Sequence, residues 1–114
     1  MTPCLFCKIA AGTLPAKIVH EDDRSVAFAD INPKAPVHVL VIPKRPLTRL
    51  SASSDGDAAL LGHLLIVARK VAEQEGVATT GYRVVTNDGA HGGQSVDHLH
   101  LHVLGGRQLT WPPG

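Results

Sequence analysis

The sequence predicts an α+β domain, a sheet with one long and one short helix packed on one side. Three observations carry this. Short β-prone runs recur, separated by acidic, proline-rich or glycine-rich turns. Between residues 55 and 75 the apolar period changes to three and four. The chain of 114 residues is 44% hydrophobic, enough for one core, and no repeat, low-complexity tract or long linker divides it. Residues 1–114 therefore read as a single domain.

In chain order, "CLFCKIAAG" is helix-tolerant and closes on Gly12, which suits a short helix with a glycine stop, and "TLPAK" turns the chain. "IVHEDD" and "SVAFAD" flank the acidic turn Glu21-Asp22-Asp23 and read as a hairpin. "INPKAP" carries two prolines and cannot continue a ladder, so it is a loop. "VHVLVIP" is apolar except for His38 and reads as a central strand ended by Pro43. Leu60, Leu61, Leu64, Leu65, Ala68, Val71 and Ala72 form one stripe of an amphipathic helix, with Ser54 and Asp57 as a capping box and Gly76 as the stop. Then come the strand "YRVVTN", the loop "DGAHGGQS" and the strand "DHLHLHVL".

Composition excludes several classes. With 18% charged residues and a formal charge of +1, the chain offers no dense basic face for nucleic acid. Lys8 interrupts the only apolar run of the N-terminus, so no secretory signal is expected there, and no stretch approaches the roughly 20 apolar residues of a membrane span. The expectation is a soluble, cytoplasmic protein without membrane or nucleic-acid partners, in which Cys4 and Cys7 stay reduced.

Chemistry concentrates in "DHLHLHVLGGRQ". On a strand, His98, His100 and His102 share one direction, while Asp97, Leu99, Leu101 and Val103 share the other. Neighbouring histidines then lie about 7 Å apart at Cα and the outer pair roughly 13 Å, so the row converges poorly on one zinc ion. A histidine-rich strand with structurally satisfied rings is the bland alternative. The preceding "GGQS" favours a functional reading, because glycines let backbone N–H groups approach an anion and Gln94 and Ser95 add donors. The loop lacks the lysine of a P-loop. Cys4-x-x-Cys7 is half a zinc site, a redox pair or two inert thiols, and no thioredoxin-like βαβ pattern surrounds it.

"GGQSVDHLHLHVLGGRQ" resembles the histidine triad signature of the HIT family. "LLGHLL", "YRVVTNDG" and "LGGRQLTWPPG" are similar to its Hint branch, and the likeness runs from "LFCKI" onward. The resemblance implies the HIT fold, an antiparallel sheet of about five strands with one long and one short helix, and a homodimer whose sheets join, with residues 105–114 contacting the partner. It implies a purine nucleoside phosphoramidase or adenylyl hydrolase acting on AMP or GMP derivatives through a covalent nucleotidyl-histidine. In that pattern His100 is the nucleophile, its other nitrogen protonated against the His98 carbonyl. His102 donates to a non-bridging phosphate oxygen, Ser95 and the Gly93 backbone stabilise developing charge, Gln94 faces the bridging atom and Asn87 the phosphate. His38 is a candidate proton relay. Asp30 binds the ribose, Phe6, Phe28, Ile31 and Leu40 wall the base, and Trp111 reaches the partner's site.

The same resemblance implies no cofactor for catalysis. It implies a structural zinc on Cys4, Cys7, His98 and a further histidine, but Pro46 stands at that last position, so the fourth ligand is missing. Asp97 stands where relatives often carry an aromatic residue and is expected to alter packing or dimer contacts. His63 reads as a helix-surface or packing residue and His91 as a solvated loop residue, and the sequence gives Arg107 and Gln108 no role. A rival class is a purine-nucleotide-binding or scaffolding module with vestigial catalysis, and a second rival is a metal-dependent enzyme using the histidine row.

Overall fold

Strands that are apolar at successive positions need cover on both faces, and this decides where the two helices go. The computed structural model describes residues 4–114. Its elements are α1 (Leu5–Ala10), β1 (Ile18–Glu21), β2 (Ser25–Ala29), β3 (Val37–Pro43), two short 3₁₀ turns, α2 (Ala58–Gln74), β4 (Tyr82–Val85) and β5 (Leu101–Gly105). The strands form one antiparallel sheet in the order β1-β2-β3-β5-β4. No described helix is long and apolar enough to cross a membrane.

The central strand β3 is buried from His38 to Pro43. Val39 and Val41 face α2, where they pack with Ala27, Leu64, Val67, Ala68, Val71, Leu99, Leu101 and Val103. Leu40 and Ile42 face the other way and pack with Val26, Phe28, Phe6 and Ile9. The helices therefore lie on opposite faces, against the expectation of one side. The physical reason is legible in "SVAFA" and "VHVLVIP": both strands are apolar at successive positions, so a bare second face would have exposed Phe28, Leu40 and Ile42 to water.

Helix ends follow the sequence signals. The Ser54–Asp57 capping box is present, with the Ser54 N–H donating to Asp57 Oδ2 at 2.9 Å, and Gly76 leaves α2 at φ +79°. Strand β5 is shorter than "DHLHLHVL" suggested. Its pairing stops at Leu101, opposite Val41. Beyond that point Pro43 has no N–H to offer and its carbonyl accepts from the His98 ring, while the Leu99 N–H goes to Leu47 O at 2.7 Å. Gly105, expected to begin the tail, still pairs with Val37 and Tyr82. The side-chain alternation nonetheless persists through the irregular stretch, with Leu99, Leu101 and Val103 in the α2 core.

Candidate active site

Backbone groups decide which nitrogen of each imidazole carries its proton. His98, 1% exposed, places Nε2 at 2.8 Å from Pro43 O, so Nε2–H donates and Nδ1 keeps a lone pair. The His98 carbonyl in turn accepts from His100 Nδ1 at 2.7 Å, which leaves the lone pair of His100 on Nε2. On β3, the Lys34 amide donates to His38 Nδ1 at 3.0 Å, so the proton of a neutral His38 sits on Nε2. That proton points at His102 Nδ1, 2.9 Å away, and Asp30 Oδ2 lies 3.4 Å from His38 Nε2. With Nδ1 accepting, His102 carries its own proton on Nε2, which is buried and has no partner among the described residues.

The register brings these rings together, since Leu40 pairs with His102 and His38 with Leu104 across β3 and β5. The rings of His100 and His102 lie 5.0 Å apart. Burial holds His102 far below the usual imidazole range, to about 4, helped by His100 and His38 and opposed by the Asp30 charge. Burial also lowers His38, with Lys34 adding and Asp30 opposing, and lowers His98 against the opposing hydrogen bond to Pro43. These three are neutral near pH 7, as the hydrogen-bond pattern requires.

The apolar wall forms in part. Phe6 meets His100 edge to face at 5.0 Å and Phe28 at 5.4 Å, and Leu40 joins the same buried cluster. Ile31, expected beside them, is 96% exposed because the two-proline loop carries it outward. Asp30 sits next to His38 and caps the Asn32 amide at 2.9 Å. Asn87 lines, with His38 and His102, a cavity of about 530 Å³.

The glycine-rich loop departs from expectation. Gln94, expected at the leaving group, accepts the Gly89 N–H on Oε1 and donates from Nε2 to Thr48 O and Val96 O, so its amide braces the loop. The Gly93 N–H, expected beside developing charge, donates to Ala90 O. Ser95 is exposed and lines a separate hollow with Arg49 and Asp97, not the cavity of His102. Gly92 lines that cavity instead, and a Cβ there would collide with the Asp88 backbone. His38, the expected relay, is held by hydrogen bonds at both nitrogens. Its Nδ1 accepts from the Lys34 amide, and its Nε2–H donates to His102 Nδ1, which sets the tautomer of His102.

Trp111 is 80% exposed, and the tail residues Pro113 and Gly114 line the cavity of their own chain. Three positions escaped the sequence reading. The Lys34 amide sets the His38 tautomer, Thr86 Oγ1 donates to His100 O at 3.0 Å, and Arg107 donates from Nε and Nη2 to Lys34 O. The one available signal was position: "PKAPVH" returns within four residues to the only polar residue of β3.

Two donor groups bear on metals. Cys4 Sγ, Cys7 Sγ and His98 Nδ1 lie within 4.8 Å of one another, and Nδ1 has the free lone pair a ligand needs. The two sulfurs are joined as a disulfide, against the expectation of thiols, and no fourth donor joins the group among the described residues. These residues do not complete a closed structural zinc site. Asp30, His38 and His102 cluster as closely, but the His38 nitrogen facing its neighbours carries a proton, which a ligand cannot. Neither group contains two members of the triad. Asp97 pairs with Arg49 at 3.1 Å, His91 is exposed, and His63 Nε2 binds Asp22 at 2.9 Å.

Comparison with known proteins agrees with this geometry. The family model of the HIT domain matches residues 11–109. An uncharacterized HIT-like protein of Synechocystis is 56% identical over 110 residues, covering 96% of each chain. A crystal structure of a HIT family hydrolase from Legionella pneumophila superposes with a TM-score of 0.96 at 53% identity, covering 98% of this chain and 100% of that one. A histidine triad protein from Clostridium difficile superposes at 0.91 with 45% identity, covering 96% and 97%.

Proposed function

Since this chain belongs to the HIT domain family, we propose that it is a hydrolase that cleaves the P–N bond of purine nucleoside 5′-phosphoramidates or adenylated amines. The observation that carries the proposal is the 2.7 Å hydrogen bond from His100 Nδ1 to His98 O, which leaves Nε2 with its lone pair available. Its likeness to the Legionella hydrolase supports the reaction class.

In the first step His100 Nε2 forms a bond to phosphorus while the P–N bond breaks. The departing nitrogen takes the electron pair of that bond and one proton from water. In the second step water attacks phosphorus, loses its proton, and the P–Nε2 bond breaks to release the nucleoside monophosphate and restore the lone pair. The unpartnered His102 Nε2–H supplies a donor for a non-bridging oxygen in both steps. Asp30 offers a carboxylate to the ribose hydroxyls, and Phe6, Phe28 and Leu40 an apolar wall to the base. The nucleophile is nitrogen and needs no metal to generate it. We read the working unit as a homodimer, in which the exposed Trp111 has a partner's site to reach.

His100→Ala should lower turnover of adenosine 5′-phosphoramidates by roughly a thousandfold or more, with nucleotide affinity retained, and chelator should leave the wild-type rate unchanged. Mass spectrometry after brief mixing should show a nucleotidyl adduct on the wild type alone. An unchanged rate in the variant would remove His100 as nucleophile, and tight binding with neither adduct nor product would favour a recognition module.

A further inference from the structure

His100 stands just outside the sheet. Strand β5 begins at Leu101, its pairing with β3 ends where Leu101 meets Val41, and its pairing with β4 ends where His102 meets Val85. The ring of His100 is nonetheless buried, and its Nδ1 is held at 2.7 Å from His98 O. Chain that has left a ladder loses the backbone bonds that fixed it, so other groups have to hold it. Pro43 O accepts from the His98 ring, Leu47 O accepts from the Leu99 N–H, and Thr86 Oγ1 donates to His100 O at 3.0 Å.

The last of these bonds comes from a side chain, on the residue that follows β4, and it acts on the backbone of His100 itself. The Thr86 hydroxyl extends the tie between β4 and β5 past the point where their pairing stops. Threonine suits the task, because its β-branch restricts χ1 and keeps the hydroxyl in one direction. Thr86 also precedes Asn87, which lines the cavity of His38 and His102. One bond thus ties the chain that carries His100 to the chain that carries Asn87. It runs inward, from β4 to its neighbour β5, so a second sheet joined at the outer edge of β4 leaves it in place. Resting on the hydrolase reading above, we infer that Thr86 is a positioning residue, whose hydroxyl holds the His100 backbone so that the Nε2 lone pair keeps a fixed place and direction.

The test removes the hydroxyl in two matched comparisons on the full chain, Thr86→Val against the wild type and Thr86→Ala against Thr86→Ser. With an adenosine 5′-phosphoramidate, nucleotidyl-adduct formation after rapid mixing should slow by roughly tenfold in each, since a fraction of an ångström at a reacting atom costs about that much. Thr86→Ser, which keeps the donor, should stay within about threefold of the wild type. Calorimetric affinity for AMP should change by less than about twofold, because Asp30, Phe6, Phe28 and Leu40 are untouched. Equal adduct rates within either comparison, or a loss that falls on AMP affinity instead, overturn the inference. If Thr86→Val does not fold, the serine and alanine pair decides. Nitrogen-15 spectra of the labelled His100 ring give a reading independent of turnover, with one protonated Nδ1 expected in the wild type and an averaged pair in Thr86→Val. If the wild type forms no adduct, the hydrolase reading falls while the spectra still decide, and an Nδ1 signal unchanged in Thr86→Val then overturns the role of Thr86.

Discussion

Three backbone groups, Pro43 O, His98 O and the Lys34 amide, each fix one nitrogen of a different imidazole, and His38 passes the Lys34 setting on to His102. The proton placed on His102 Nε2 depends on His38 donating to Nδ1. His38→Phe should therefore let His102 exchange between tautomers and lower kcat by roughly tenfold to a hundredfold. Nitrogen-15 spectra of the labelled His102 ring should change from one protonated Nε2 to an averaged pair, and an unaltered ring signature would show that the setting comes from elsewhere. At this scale the sequence supplied the histidines and, through resemblance, the contact between His98 O and His100. The Lys34 amide was invisible because it is a backbone group, and any non-proline residue there would have presented the same N–H.

Among the elements, the hairpin of β1 and β2 is tied to α2 through one carboxylate. Asp22 accepts the Arg24 and Ser25 amides at 2.8 Å on Oδ1, and on Oδ2 the Ser25 hydroxyl and the Nε2 of His20 and His63, each at 2.9 Å. Burial alone would raise this carboxyl, but the donors together hold it well below the usual range. Asp22→Ala strands the fully buried Ser25 and should cost about 2 kcal/mol, read as a lower urea midpoint with an unchanged slope. A midpoint shift near zero would mean that water replaces the carboxylate without loss. The acidic turn was legible in "HEDDRS", whereas its link to His63 joins residues far apart in the chain and follows only from the packing of α2 on the sheet. The glycine-rich loop teaches the same lesson. "GGQS" reads as an anion cradle, yet Gln94 spends its amide on Thr48 and Val96, groups whose proximity no local spacing announces.

Over the whole molecule, burial depresses His38, His98 and His102 together, the last to about 4. The unfolded chain, with imidazoles near 6.5, then binds more protons than the folded one between about pH 4 and 6.5. Stability rises with pH across that window, so the contribution of neutral burial is complete above it and is lost as pH falls through it. Thermal melts should show Tm dropping by about 5 °C between pH 7.5 and pH 5. A flat profile would mean that these rings are solvated and readily charged in the folded state.

Length, period and alternation determined by themselves an α+β chain with its strand-forming runs, a long amphipathic helix with its caps, and one common direction for the three histidines. Those features depend on neighbours a few residues apart, and hydrophobic burial acts on that pattern directly. Only the tertiary structure decided that α1 covers the second face, that His38 Nε2 meets His102 Nδ1, and that Gln94 and Ser95 lie away from the cavity. Each of these depends on groups distant in the chain that share one proton, one carbonyl or one charge, and hydrogen bonding assigns such partners only after the sheet has set its register.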